Sequence, residues 1–167
     1  MPDSAPRINT FAVGSLTALL IYYEFYRWIP LGAWNGEFRW PVPNDQFYPD
    51  IIIGLLLLWM VLSFRRQREA SMWIGAILLA LWVAVHLSDW WIPYMVGTGS
   101  ERDGFYRFYA SRTQLLPTFG KHRPPDAGHA ILDFLVFGAF LLGTASVVRH
   151  AQRRRRSLLR GLDPTLR

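Results

Sequence analysis

Cysteine is missing from this 167-residue chain, which excludes disulfide staples, thiolate metal sites and thiol redox chemistry. Lysine is nearly missing as well: Lys121 stands alone among 18 basic residues, the rest being arginine. That bias fits a GC-rich bacterial genome and carries no mechanism. No zinc-binding H-E-x-x-H is present, and Gly97, Gly99 and Gly104 follow no strand, so they form no phosphate loop. Charge is absent from one half of each long apolar run, as follows once the runs are placed.

Four apolar stretches are present, at 8–26, 47–64, 71–91 and 127–148. As helices each is roughly 27–33 Å long, enough to cross the hydrocarbon of a bilayer. The averaged hydropathy is only slightly positive because charges are confined between the blocks, and that blocking is the membrane signal. The expected fold class is therefore all-α: an integral membrane four-helix bundle with one domain at 1–148 and a basic tail at 149–167. The first span, which lacks a small-x-small cleavage site, reads as an uncleaved signal-anchor. The tail is expected to be cytoplasmic and partly disordered.

Arginine sets the expected orientation. With both termini inside, eleven basic residues (Arg7, Arg65, Arg66, Arg68 and seven in the tail) face three acids, whereas the outer segments hold seven basic and nine acidic residues. This is the positive-inside pattern, and it places the protein in the cell membrane, inner or plasma, with N and C termini cytoplasmic. The outer loops are then 27–46 and 92–126. Loop 27–46 is rich in Trp and Pro, as suits the headgroup zone. Within the second, 103–116 reads as an amphipathic helix lying in the interface. The run Arg153–Arg156 is read as a topology determinant touching anionic lipid, not as a nucleic-acid site.

Trp28-Ile29-Pro30 closes the first span and Trp91-Ile92-Pro93 the third; Pro49-Asp50 opens the second and Pro125-Asp126 the fourth. This suggests a parallel 2+2 repeat of helical hairpins, against the simpler reading that Trp and Pro favour outer helix ends. Gly75, Gly138, Ala139 and Gly143 read as helix-packing positions.

Every intramembrane ionisable residue falls in the outer half: Glu24, Asp50, His86, Asp89, Asp126, His129 and Asp133. Such groups are costly at membrane depth and mark functional sites by default. His86 and Asp89 are i, i+3 and share a helix face; His129 and Asp133 are i, i+4 and share another. The expected catalytic set is Asp133 as base with His129, His86 and Asp89, and the rim is Asp126, Glu24 and Asp50. For the rim, the plainer reading is that Asp50 and Asp126 are first-turn or N-cap acids and that Glu24 pairs with Arg27. His86, His129 and Asp133 also suit a divalent metal such as Zn, Mn or non-haem Fe.

The function expected is a site that binds or chemically processes a small or lipid-soluble ligand from the outer leaflet. The alternative is a non-catalytic accessory subunit of a larger membrane assembly, with these residues as helix struts. A dimeric transporter comes third. Membrane lipids are the expected partners, with other membrane subunits or a second copy, and no nucleic acid. In architecture alone the chain resembles small four-span bundles. It lacks the cysteines of the vitamin K epoxide reductase type and the motifs of lipoprotein signal peptidases and of the four-span sterol-isomerase group.

Overall fold

Long apolar stretches that are hydrophobic on every face satisfy their backbone internally only as helices when water is absent. The computed structural model, which describes residues 5–35, 44–97, 109 and 112–162, is accordingly all-helical. Helix α1 (Ala5–Trp28), α2 (Asn44–Arg65) and α3 (Glu69–His86) are followed by a π-helical turn (Leu87–Trp91) and a short α4 (Ile92–Val96). The last helix, α5, spans Ala127–Leu162. The third transmembrane element is the unbroken run of α3, the π turn and α4, and four helices in all are long and apolar enough to cross a membrane.

The helices pack in a ring in chain order, α1 on α2, α2 on α3, α3 on α5 and α5 back on α1. Leu16, Leu19, Leu57, Met60, Phe64, Met72, Leu79 and Val136 fill the centre. Outward, Ile52, Leu55, Leu81 and Phe134 are exposed, as a lipid-facing surface requires. Gly75 and Gly143 admit the Phe64 ring: a Cβ at either would lie 3.3 and 3.4 Å from it. These glycines are packing positions, as expected. The α2–α3 turn ends on Gln67 in the left-handed region, with Arg68 N–H returning to the Ser63 carbonyl, a Schellman-type close.

Two expected helix boundaries are corrected, and a third expectation falls largely outside the described residues. Helix α2 starts at Asn44, so Pro49 lies inside it and Asp50 is not a first-turn acid. The last helix does not stop at 148: α5 continues through the basic tail to Leu162, because arginine, alanine and leucine favour helix, and Arg154 pairs with Glu69 at 2.8 Å, while 163–167 lie outside the described residues. Of the interfacial helix expected at 103–116, residues 103–108, 110 and 111 lie outside the described residues; Tyr109 is helical and 112–116 are not. The two Trp-Ile-Pro segments also differ. The first ends α1, whereas the second runs on as helix to Val96.

Candidate functional site

Helix polarity carries the end of α1, the start of α2, the end of α3 and the start of α5 to the bundle end remote from the chain termini. All seven ionisable residues of the sequence analysis gather there. Five of them, Asp50, His86, Asp126, His129 and Asp133, form three hydrogen-bonded groups whose pairings differ from those that helical spacing suggests.

The first group joins α3 and α5. His86 Nδ1 meets Asp133 Oδ1, and the indole N–H of Trp91 donates to Asp133 Oδ2 at 2.7 Å. On the far side of the ring, Trp82 donates its indole N–H to His86 Nε2 at 2.7 Å. An indole nitrogen can only donate, so His86 Nε2 must be the acceptor and Nδ1 carries the proton given to Asp133. The π turn makes this chain geometrically feasible. By widening one turn, it aims the consecutive side chains of Trp90 and Trp91 at two different partners on α5. Every polar atom of the His86–Asp133 pair is thereby spent. The pair forms part of the wall of an almost wholly apolar groove of about 230 Å³, with Val83, Leu87, Phe134 and Phe137.

The second group sits at the start of α5. Asp126, wholly buried, caps the helix by accepting the His129 backbone N–H at 3.0 Å. Its other oxygen lies 2.6 Å from His129 Nδ1, a contact that needs a proton between the two atoms. Arg112 adds charge 3.6 Å from Asp126 and donates to the Tyr26 hydroxyl at 3.0 Å. The His129 ring lies tilted over Trp90 and edge-on to Tyr26 and Tyr109. Burial pushes the Tyr109 phenol up, an effect that the Arg112 guanidinium against its ring partly offsets. Gly128 is required here, since a Cβ would fall 2.1 Å from the Tyr26 ring. Backbone bonds from Thr113 to Ala33 and from Ala127 to Thr113 tie the segment after α1 and the segment before α5 to the helix start.

The third group joins α1 and α2. Asp50 accepts from the Tyr23 hydroxyl at 3.0 Å and from Arg27 Nη2. Arg27 therefore serves Asp50 and not Glu24. The Glu24 carboxylate lies against Gly54 and makes no hydrogen bond or ion pair among the described residues.

A cavity of about 260 Å³ connects these groups. All four spans contribute to its wall: Tyr23, Tyr26 and Arg27 from α1, Asp50 from α2, Trp82, His86, Asp89 and Trp90 from the third, and His129 from α5. Tyr109 completes it from the segment between α4 and α5. Both histidines thus reach one space, but Asp133 does not, and the expected His129–Asp133 partnership is replaced by His129–Asp126. Among the described residues no three His, Asp or Glu side chains approach closely enough to hold a metal ion. The sequence reading missed Trp82, Trp91, Tyr26 and Arg112. For Trp82 the signal was there, as its i, i+4 spacing to His86. Comparison with protein-family models, characterised proteins and solved structures returns no match, so the site is interpreted from its own chemistry.

Proposed function

We propose that this multi-pass membrane protein binds a small or lipid-soluble ligand in the four-helix cavity, with Asp126–His129 as its acid–base pair and His86–Asp133 as its frame. One observation carries the reading. Of the two histidines in the cavity wall, His129 alone keeps a ring nitrogen uncommitted among the described residues: Nδ1 is engaged by Asp126, and Nε2 has no hydrogen-bond partner there and is not sealed from solvent. A buried carboxylate on one imidazole nitrogen fixes the tautomer, leaves the other as a proton acceptor and stabilises the imidazolium that forms. Asp89, Asp50 and Arg27 are then groups for the ligand's polar end. Asp133, the first choice for the base on sequence, becomes structural.

The arginine distribution supports cytoplasmic termini and a cavity facing the outer leaflet of the cell membrane. The fully engaged His86–Asp133 pair is also what an accessory subunit's strut needs, and it favours that second reading for α3 and α5 alone.

Carbethoxylation with diethylpyrocarbonate, mapped by mass spectrometry on the folded protein in mild detergent, tests the assignment. The reagent attacks an unprotonated, accessible imidazole nitrogen. His129 is expected to react at least about tenfold faster than His86, whose Nε2 is covered by Trp82. Equal rates at the two rings, or an inert His129 beside reactive His122 and His150, would remove the acid–base reading.

A further inference from the structure

We infer that the outward face of α1, along its border with α2, docks a transmembrane helix of another protein that carries an arginine or lysine. The inference does not depend on the cavity reading above. It starts from Glu24, which the three hydrogen-bonded groups leave out. Helical side chains tilt toward the helix N-terminus, so Glu24 points away from the nearby end of α1 and along the span. Its carboxylate rests at the level of Gly54, where an added Cβ would lie 2.1 Å from Oε1. Gly54 is seven residues, about 10 Å, beyond Phe47, where the apolar part of α2 begins. The adjoining residues Phe25 and Leu55 are exposed to the bilayer side. A carboxylate at that depth is costly without a donor or counter-charge. Arg27, three residues on, is engaged by Asp50. Glu24 is left with no hydrogen bond or ion pair among the described residues.

The face beside Glu24 differs from those of the other helices. Helices α2, α3 and α5 carry a large apolar side chain on each outward turn, Leu55, Leu81 and Phe134 among them, as contact with lipid requires. Helix α1 is the least apolar of the four spans and has the smallest share of its length buried, the reverse of what lipid exposure favours. Its exposed positions Phe11, Gly14, Ala18, Ile21 and Phe25 are alternately three and four residues apart. That spacing is the seam along which a second helix packs with a left-handed crossing, and Glu24 flanks it where interhelical ion pairs form. Glycine weakens a helix interior, and nothing in this chain requires it at position 14, where a Cβ would meet no atom within 4 Å. With Ala18 it leaves a shallow place for a neighbouring backbone. Association in lipid draws on such packing and on polar contacts, and Glu24 supplies a negative charge for a basic partner. A second copy of this chain brings no such cation. The one arginine or lysine that the described helices place at that end, Arg27, is held by its own Asp50.

Energy transfer in phosphatidylcholine vesicles, between the full chain labelled through Leu162→Cys and synthetic transmembrane peptides, tests this. The peptides are leucine–alanine spans of about 21 residues, flanked alike at both ends so that both orientations insert. They differ at one position, about two turns from one end, which holds arginine, glutamine or leucine. The arginine peptide is expected to associate at least about tenfold more tightly than the leucine peptide, with the glutamine peptide between them. Glu24→Gln should abolish the advantage of arginine over glutamine while circular dichroism stays native. Gly14→Leu should weaken association of all three, whereas Ile77→Phe, on the outward face of α3, should leave it unchanged. Equal association of the three peptides, association by none, or an arginine advantage that survives Glu24→Gln overturns the inference. Energy transfer between two differently labelled copies of the chain, abolished by Gly14→Leu, gives the face to a second copy and overturns it as well.

Discussion

Replacing Asp133 with asparagine probes the division of labour between the two His–Asp pairs most directly. The Asp133 side chain is 7% exposed and accepts from two donors, His86 Nδ1–H on one oxygen and Trp91 Nε1–H on the other. Asparagine keeps one acceptor and turns an NH₂ group toward the second donor. Rotation of His86 to the other tautomer does not help, because Trp82 already donates to Nε2. An interhelical hydrogen bond in a membrane contributes about 0.6 kcal/mol on average and up to about 1.7. A buried donor left without an acceptor costs about 1–3 kcal/mol. One lost bond and one opposed donor pair together predict destabilisation of about 2 kcal/mol.

The assay is reversible unfolding in mixed micelles by denaturing detergent, run as a cycle with His86→Leu, Asp133→Leu and the double variant. Removing both partners leaves fewer stranded groups than the single changes imply, so the coupling energy should be about 1–2 kcal/mol. The same Asp133→Asn protein should retain the rate of His129 carbethoxylation within about twofold of the unsubstituted chain. Additivity within about 0.5 kcal/mol, together with loss of the fast His129 carbethoxylation, would refute the frame role and return Asp133 to the chemistry.

Gly128→Ala and Gly54→Ala should part company although both build a Cβ that falls 2.1 Å from its nearest neighbour. At Gly128 the obstacle is the packed Tyr26 ring, so thermal stability should drop by about 2 kcal/mol or more; at Gly54 it is the end of the flexible Glu24 side chain, so the loss should stay under about 1 kcal/mol. Asp126→Ala removes the α5 cap and should cost about 1–2 kcal/mol. Asp126→Asn keeps the cap acceptor and should recover much of that loss without restoring fast carbethoxylation of His129. Because the folded state holds the Tyr109 phenol above its ordinary value, the folded protein binds more protons than the unfolded one once pH passes about 10. Stability should therefore be undiminished by this group below that pH and fall as pH rises above it. Tyr109→Phe should flatten the alkaline limb of a pH–stability curve.

The four spans were legible because membrane insertion is decided by blocks of side chains, and the blocks around Leu57, Leu79 and Val136 are unmistakable. The concentration of Glu24, Asp50, His86, Asp89, Asp126, His129 and Asp133 at one bundle end was legible for the same reason. Their pairing was not. Helical spacing groups residues on a single helix, whereas His86 finds its carboxylate 47 residues away on α5, and Trp82 and Trp91 complete that link. Tryptophans near a helix end read as an interfacial belt, and nothing in a regular period of 3.6 announces the π turn that redirects Trp90 and Trp91. Asp50 was misread because Pro49 looks like a helix start, although a residue-level pattern cannot show that α2 begins five residues earlier. The Asp126 cap, by contrast, follows from the sequence, since Pro124-Pro125-Asp126 ahead of an apolar run leaves little else for that carboxylate to do.

Helix α5 runs uninterrupted for 36 residues, about 54 Å, with His129 in its first turn and the arginine cluster beyond its apolar section. Between them, at Gly143, it rests against Phe64 of α2 and Leu79 of α3. A rod on such a fulcrum is a lever. A tilt of about 5° about Gly143 carries His129 roughly 1.8 Å one way and Arg154 roughly 1.4 Å the other. That displacement parts the 2.8 Å contact between Arg154 and Glu69 beyond ion-pairing distance. Whatever pushes α5 at the cavity is thus felt as a charge set free on the opposite side of the membrane.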